Sequence, residues 1–490
     1  MDEKRKRHCW ECLRRRLVCD SIQSGCKRCF TSGITCPGYG DTKPSRLKWL
    51  APGRVTSRTR RARDTGTNGL VKNSYGDSVT RARPDASLSR FRMRTEECDL
   101  GQAILYYNSC IYQDLLPVQT LGQNSGIYPI TTDMLHRGSS YPDHVRLMLL
   151  CVTLSHRVNR TRGPTRFEHL SESFYLYRGK IIRSLNSDLD VEQKRTSDAV
   201  LAGVTTLLLS DVQQGASSNW RHHFNAVEKL IALRGGIREV ARLGRVDALL
   251  RLYIFIAVIG NTTSPASDLI MTGSHLQDLE FILELVSDPV NEILPSPLSA
   301  EIIKINHLRM LAMQLEGSDL SMVQEAFGIL QRIYAFSSED WAAMKPLSHD
   351  EWTLIGVIHQ EAVSIYCISS LQSVSVLPHT AALRAQCAAH GQRLQTLLAS
   401  ALSSPSLKIF MLWPVIMLGM EAVHGPASLR SFVVHHLPEL SKHIGTYVPL
   451  TAKGVLERFW ASGDTRWDSC FDRPYAFAAQ IAVDISGVVP

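Results

Sequence analysis

The sequence predicts a chain of two unequal parts: a small module held together by bound metal, then a linker without fixed structure, then a large all-α body. Three observations carry that prediction. Six cysteines crowd into the first 36 of 490 residues. Positive charge is concentrated at the same end, and residues 96–490 are rich in Leu, Ala, Ile and Val at helical spacing with few strand signals.

The cysteines come first. Cys9, Cys12, Cys19, Cys26, Cys29 and Cys36 form two triplets of spacing Cys-x2-Cys-x6-Cys, and moving the first forward by 17 positions lands it on the second. Zinc takes four tetrahedral ligands, with sulfur at about 2.3 Å, and Cys-x2-Cys supplies two from one tight turn. Six sulfurs are too few for two separate four-ligand sites, but two shared sulfurs close a pair of Zn2+ sites. The resulting core is net negative, and Lys4, Arg5, Lys6, Arg7, Arg14, Arg15, Arg16, Lys27 and Arg28 around it leave the module outwardly basic. A disulfide framework would need an oxidising compartment and a secretory signal. Met1 to Trp10 is instead nearly all charged, and no apolar signal core follows it. Cys98, Cys110, Cys151, Cys367, Cys387 and Cys470 are scattered through apolar or mixed sequence and read as buried reduced thiols.

With that spacing, residues 9–36 resemble the fungal binuclear zinc cluster, the six-cysteine DNA-binding module of fungal transcription regulators. The resemblance implies that Cys9 and Cys26 bridge the two metals and that a short helix entered at Cys12 points basic residues into the DNA major groove. The stretch from Cys12 to Asp20 aligns with the family's basic helix, so Arg15 and Arg16 are expected to contact the bases of a CGG-type triplet. Guanine suits this chemistry. Its O6 and N7 acceptors match the guanidinium fork, a contact worth about 1–3 kcal/mol of discrimination. Arg14, Lys27 and Arg28 read as phosphate contacts, which set register and salt dependence without reading sequence.

The chain departs from the family pattern at three places: Leu13 and Val18 stand at usually basic positions, and Ser24 replaces the loop proline. The first two should lower affinity and flatten the salt slope, by roughly 0.9 per lost phosphate contact. Losing the proline leaves the loop less constrained in the unfolded state. None removes a metal ligand.

Residues 1–95 hold 23 Lys and Arg against 8 Asp and Glu, a net +15, while residues 96–490 hold 31 against 38, so the formal +8 of the whole chain hides a basic fifth on a mildly acidic body. Only the first part is built to meet a polyanion. Residues 1–40 are read as the cluster domain, with Lys4 to Arg7 as a phosphate-touching arm or nuclear import signal. Residues 41–95 are read as a basic linker, too poor in large apolar residues to offset the entropy of folding. Within it Arg54, Arg58, Arg60, Arg61 and Arg63 add nonspecific phosphate affinity, supply a second import signal or are a solvated coil. No heptad pattern follows the cluster, so a homodimer stays open without a coiled coil to support it.

Residues 96–490 can bury a large core, as one extended helical domain or two packed halves. Apolar periodicity predicts helices over Leu100–Leu116, Asp143–Val158, Ser197–Ser210, Trp220–Leu233 and Val246–Ile259, then Leu276–Val286, Glu301–Leu315, Glu351–Leu371, Ala381–Leu402 and Ile409–Val423. Trp220, Phe224, Val227, Leu230 and Ile231 share one face, and Gly235-Gly236 supplies a stop. No apolar run is judged to reach the about 18 residues needed to cross a bilayer, and Ile409–Met420, the closest, reads as a buried helix.

This region is similar to the second family of fungal-specific transcription factor domains. Four stretches carry the likeness: Trp220-Arg221-His222-His223 with Ala226 and Arg234-Gly235-Gly236; Trp413-Pro414 with Gly419, Glu421 and Ala422; Leu456-Glu457-Arg458-Phe459-Trp460; and Trp467. The resemblance implies an all-α regulatory domain over residues 96–490; its tryptophans and glycines read as packing and capping residues. Enzyme motifs are lacking: Gly179-Lys180 has Phe174 where a phosphate loop needs glycine, and there is no Gly-x-Ser-x-Gly, dinucleotide glycine fingerprint or His-Glu-x-x-His. Neither His222-His223 nor His435-His436 is expected to chelate a metal, because adjacent helical residues diverge. The chain therefore reads as a nuclear, sequence-specific DNA-binding regulator of RNA polymerase II transcription, with double-stranded DNA and the transcription machinery or co-regulators as partners. The alternative is a zinc-stabilised protein-interaction adaptor.

Overall fold

The structure, a computed structural model, describes residues 9–15, 18–22, 25–33, 36–37, 95–122, 126–160, 164–215, 220–244, 246–270, 276–286, 292, 294–315 and 319–478. The predicted linker up to Arg94, the basic arm and Arg16 lie outside them. The chain divides into two units, Met1–Leu88 and Ser89–Pro490, each described by itself.

Among its described residues the first unit has two short helices, Trp10–Arg15 and Lys27–Thr31, and their core is sulfur: Cys9, Cys12, Cys19, Cys26 and Cys29 are buried and Cys36 packs against them.

In the second unit every described element is helical, and one hydrophobic cluster runs from Leu100 to Ala478. The 25-residue helix His349–Ser373 is its axis, packing on Ser296–Gln314, Leu320–Ala335, Ala381–Ala401 and Leu412–Glu421. It is long and apolar enough to span a bilayer, which the sequence analysis overlooked, yet 78% of its most apolar stretch is buried inside the body. Glu361 and His359, both buried within it, mark it as a core helix with internal polar partners. A second layer pairs Asp198–Gln213 with Trp220–Leu233, and Met148–Arg160 with Pro164–Leu189. Helix Ala427–Ile444 touches Met148–Arg160 and Leu412–Glu421 and so ties the two layers.

Local chemistry sets the helix ends. Thr95, Ser197, Asp319, Ser337 and Thr380 each accept a hydrogen bond from the N–H three residues on, satisfying donors a helix start leaves over. At the other end, Gly235 and Gly236 take φ of +93° and +96° as the predicted stop, and the Gly236 N–H bonds the Ile231 carbonyl at 3.0 Å.

Helix Trp220–Leu233 has the bounds predicted for it, and Asp198–Gln213 begins one residue after its cap, Ser197. The predicted Asp143–Val158 helix is broken at Leu147 into Asp143–Arg146 and Met148–Arg160. The predicted Leu100–Leu116 helix begins at Glu96 and passes through a π-turn at Tyr107–Ile111. There the Asn108 side chain braces the backbone of Ile130 through bonds of 2.8 and 2.9 Å. The thiol expectation holds for Cys151, Cys367, Cys387 and Cys470, which are buried; Cys98 is exposed and Cys110 partly so.

Candidate metal centre and the regulatory body

Each half of the cysteine repeat builds the same local device. Cys9 precedes helix Trp10–Arg15 and its Sγ accepts the Cys12 N–H at 3.4 Å; Cys26 precedes helix Lys27–Thr31 and its Sγ accepts the Cys29 N–H at 3.3 Å. The two cysteines expected to bridge the metals are thus the two whose sulfurs accept an amide at the start of a helix. The Cys9 N–H also points at Cys19 Sγ, 3.5 Å away, which joins the third cysteine to the first.

The sulfurs are spaced for a shared ion. Cys9 Sγ lies 3.6 Å from Cys26 Sγ and 3.8 Å from Cys29 Sγ, and Cys12 Sγ lies 3.5 Å from Cys26 Sγ. A disulfide would bring a pair to about 2.05 Å. The edge of a tetrahedron with metal–sulfur bonds of about 2.3 Å is about 3.8 Å, close to all three separations. The donor atoms of Cys9, Cys12, Cys26 and Cys29 fall within 4.8 Å of one another, as do those of Cys19, Asp20 and Cys26.

Electrostatics calls for a cation here. Burial, followed by hydrogen bonding to the neighbouring thiols, pushes the Cys29 thiol up to about 12, and the same causes raise Cys12 further. Crowded buried thiols resist ionising alone, and a bound divalent ion reverses that logic by deprotonating its ligands. An all-sulfur, tetrahedrally spaced donor set fits zinc.

Of the residues expected to contact DNA, Arg14 and Arg15 lie in the last turn of helix Trp10–Arg15, whereas Lys27 and Arg28 are exposed in the first turn of Lys27–Thr31. The side chains of Arg14 and Arg15, like all of Arg16, lie outside the described residues.

In the body the sequence motifs converge on the C-terminal end of helix Asp247–Thr262. Trp467 Nε1 donates to the Thr262 carbonyl at 3.1 Å, Trp413 Nε1 to Thr262 Oγ1 at 2.9 Å, and the Tyr475 N–H to the Thr263 carbonyl at 3.1 Å. Trp220 packs against Gly260, where a Cβ would stand 3.5 Å from its ring, and donates to the Pro474 carbonyl at 3.4 Å. Trp460 Nε1 donates to the Gly419 carbonyl at 2.9 Å, and a Cβ on Gly419 would come within 2.5 Å of Leu456 Cδ1. Glu421 pairs with Arg384, and His223 with Asp211 at 3.3 Å. These residues cap and pack. Exposed His435 and half-buried His436 stand with ring planes 79° apart and face Glu439 at 3.7 and 3.4 Å, and the donor atoms of all three lie within 4.8 Å of one another, closer than the expected divergence of adjacent helical residues.

Sequence reasoning missed the centre of this hub. Arg309 is 0% exposed and donates to the carbonyls of Asn261 (3.0 Å) and Ser264 (2.9 Å), to the Tyr366 hydroxyl (3.0 Å) and to Asp468 Oδ1 (2.9 Å). A cation at the carbonyl end of a helix completes bonds the helix itself leaves open. The signal was available: Arg309 follows Ile302 and Ile305 along one buried stripe, an apolar position in an otherwise apolar register.

Residues 104–477 match the fungal specific transcription factor domain. Across 495 aligned positions, 99% of this chain and 92% of the relative, the sequence is 45% identical to a protein of Leptosphaeria maculans described as a phomenoic acid biosynthesis cluster-specific transcriptional regulator. No solved structure matches the chain. With its sulfur cluster at one end and its tryptophan hub at the other, the chain belongs to the fungal specific transcription factor domain family and is a transcriptional regulator rather than an enzyme.

Proposed function

We propose that the protein is a sequence-specific DNA-binding regulator of a biosynthetic gene cluster, working in the nucleus on genes transcribed by RNA polymerase II. In this reading two Zn2+ ions are held by Cys9, Cys12, Cys19, Cys26, Cys29 and Cys36, with Cys9 and Cys26 shared. The ions supply folding energy and no chemistry; they fix the two short helices. Arg15 and Arg16 read a CGG-type triplet, and Arg14, Lys27 and Arg28 hold phosphates. The regions divide as cluster (1–40), linker (41–95) and regulatory body (96–490), the last meeting transcription machinery or co-regulators. The name of the Leptosphaeria maculans relative supports the assignment of target class.

The observation that carries the reading is the set of sulfur separations from 3.5 to 3.8 Å among Cys9, Cys12, Cys26 and Cys29, in a module whose sequence is otherwise rich in Lys and Arg. The test is binding of the zinc-loaded full chain to a CGG-containing duplex and to a scrambled duplex at one fixed salt concentration. A clear preference for CGG is expected, and Arg15→Ala should erode it by about 5- to 150-fold, the equivalent of about 1–3 kcal/mol. A ratio near one for the wild type would favour the zinc-stabilised adaptor instead.

A further inference from the structure

The loop between the third and fourth cysteines must return Cys26 to the sulfur cluster across six intervening residues, and it does so with Ser24 in place of a stiffening proline. Other constraints do that work. Ser21 sits at φ +61° and Gly25 at φ +129°, and the Gly25 N–H bonds the Ile22 carbonyl at 3.1 Å. Across the mouth of the loop, Asp20 Oδ2 accepts the Lys27 backbone N–H at 3.0 Å. Asp20 directly follows Cys19 and Lys27 directly follows Cys26, so this one bond ties together the neighbours of two cysteines. The donor is one of the amides a helix start leaves over, and no part of the zinc or DNA reading uses the acceptor.

Resting on the zinc reading above, we propose that Asp20 is a positioning residue: its carboxylate clasps the Cys19–Cys26 loop shut and thereby slows loss of the metal held there. Asp20 is not itself a ligand in this proposal. Its bond restrains the backbone on both sides of the loop, so Cys19 and Cys26 cannot separate without breaking it. Two effects oppose each other at this position. The bond favours the closed loop, whereas the negative charge, within 4.8 Å of the Cys19 and Cys26 sulfurs, disfavours thiolates. Asparagine separates them, because it keeps the acceptor and drops the charge.

The donor can be removed as well. Lys27 is the first residue of its helix, where proline is tolerated, and Cys26 before it lies at φ −73°, ψ 144°, the extended region proline demands of its predecessor. The experiment is zinc release from the full-length, zinc-loaded protein to excess 4-(2-pyridylazo)resorcinol, followed by absorbance, with zinc per chain measured beforehand.

Asp20→Ala should release zinc about three to ten times faster, the range expected for one hydrogen bond. Asp20→Asn should stay within about twofold of wild type, Lys27→Pro should match Asp20→Ala, and the double variant should be no faster than either single one. If Asp20→Ala loads no zinc while Asp20→Asn loads normally, the clasp is supported in stronger form. Unchanged release in Asp20→Ala, equal acceleration in Asp20→Asn, or additive effects in the double variant would each overturn it. Wild-type protein with fewer than two zincs per chain would instead defeat the underlying zinc reading, so the two failures are distinguishable.

Discussion

Cys26 serves both halves of the sulfur cluster: its Sγ is 3.6 Å from Cys9 and 3.5 Å from Cys12 while also capping helix Lys27–Thr31. Cys36 is only partly buried and packs at the edge. The two cysteines should therefore differ on removal. On the proposed two-zinc arrangement, Cys26→Ala takes a ligand from both metals and a cap from a helix, so bound zinc should fall below one per chain. Cys36→Ala strips one site and should leave about one. Elemental analysis of the two purified variants checks this, and equal losses would argue against sharing through Cys26. At this scale the sequence was legible where chemistry dictates spacing, which is why the six cysteines could be named from their intervals. It was not legible where a side chain meets the backbone at an irregular distance. The carboxylate of Asp20 reaching the Lys27 amide, or Arg309 reaching the carbonyls of Asn261 and Ser264, leaves no periodic trace.

Helices were legible when one apolar stripe faced the core, as in Trp220–Leu233. Others escaped for identifiable reasons. The 26-residue helix Pro164–Leu189 buries Phe174, Tyr177, Ile181 and Leu185 but exposes Tyr175 and Leu176, so its stripe is blurred; in Leu320–Ala335 exposed Leu320, Phe327 and Tyr334 do the same. Ala427–Ile444 carries Pro438 inside, a residue that ordinarily ends a helix. The end of that helix supports a prediction. Gly445 stops it at φ +69°, and a Cβ there would run into the His156 ring. Gly445→Ala combines a left-handed backbone with overpacking and should destabilise the body by about 2–4 kcal/mol, read as a lower urea midpoint. His156 itself, bonded through Nδ1 to the Tyr106 hydroxyl at 3.0 Å, is pushed down to about 3 by burial, and burial holds His359 at about 4. Both are neutral in the fold and titrate near 6.5 when unfolded, so between pH 6.5 and 4 the unfolded chain binds more protons. Their contribution is intact above pH 6.5 and is lost as pH falls, at about 1.4 kcal/mol per unit for each group. Unfolding followed by helical signal should show that decline, and His359→Phe should reduce its slope by about one proton.

At the scale of the whole molecule, two sources of folding energy of different kinds serve two units. The cysteine module has no apolar core among its described residues beyond its own sulfurs, so on the proposed zinc reading its order depends on the metal that would deprotonate and join them. The body buries a continuous apolar cluster from Leu100 to Ala478 and closes its C-terminal segment onto Arg309 and Thr262. Its stability follows from area removed from water and from satisfied buried polar groups, and both persist without zinc. Chelation should therefore act on one unit only. Treating the full chain with a strong zinc chelator should abolish specific duplex binding, while the thermal midpoint of the helical far-ultraviolet signal moves by less than about 2 °C. For a domain of this size that limit is worth about 2 kcal/mol or less. A larger fall in the midpoint would mean that the body draws stability from the metal module, and that the charge division in the sequence does not mark a division in folding.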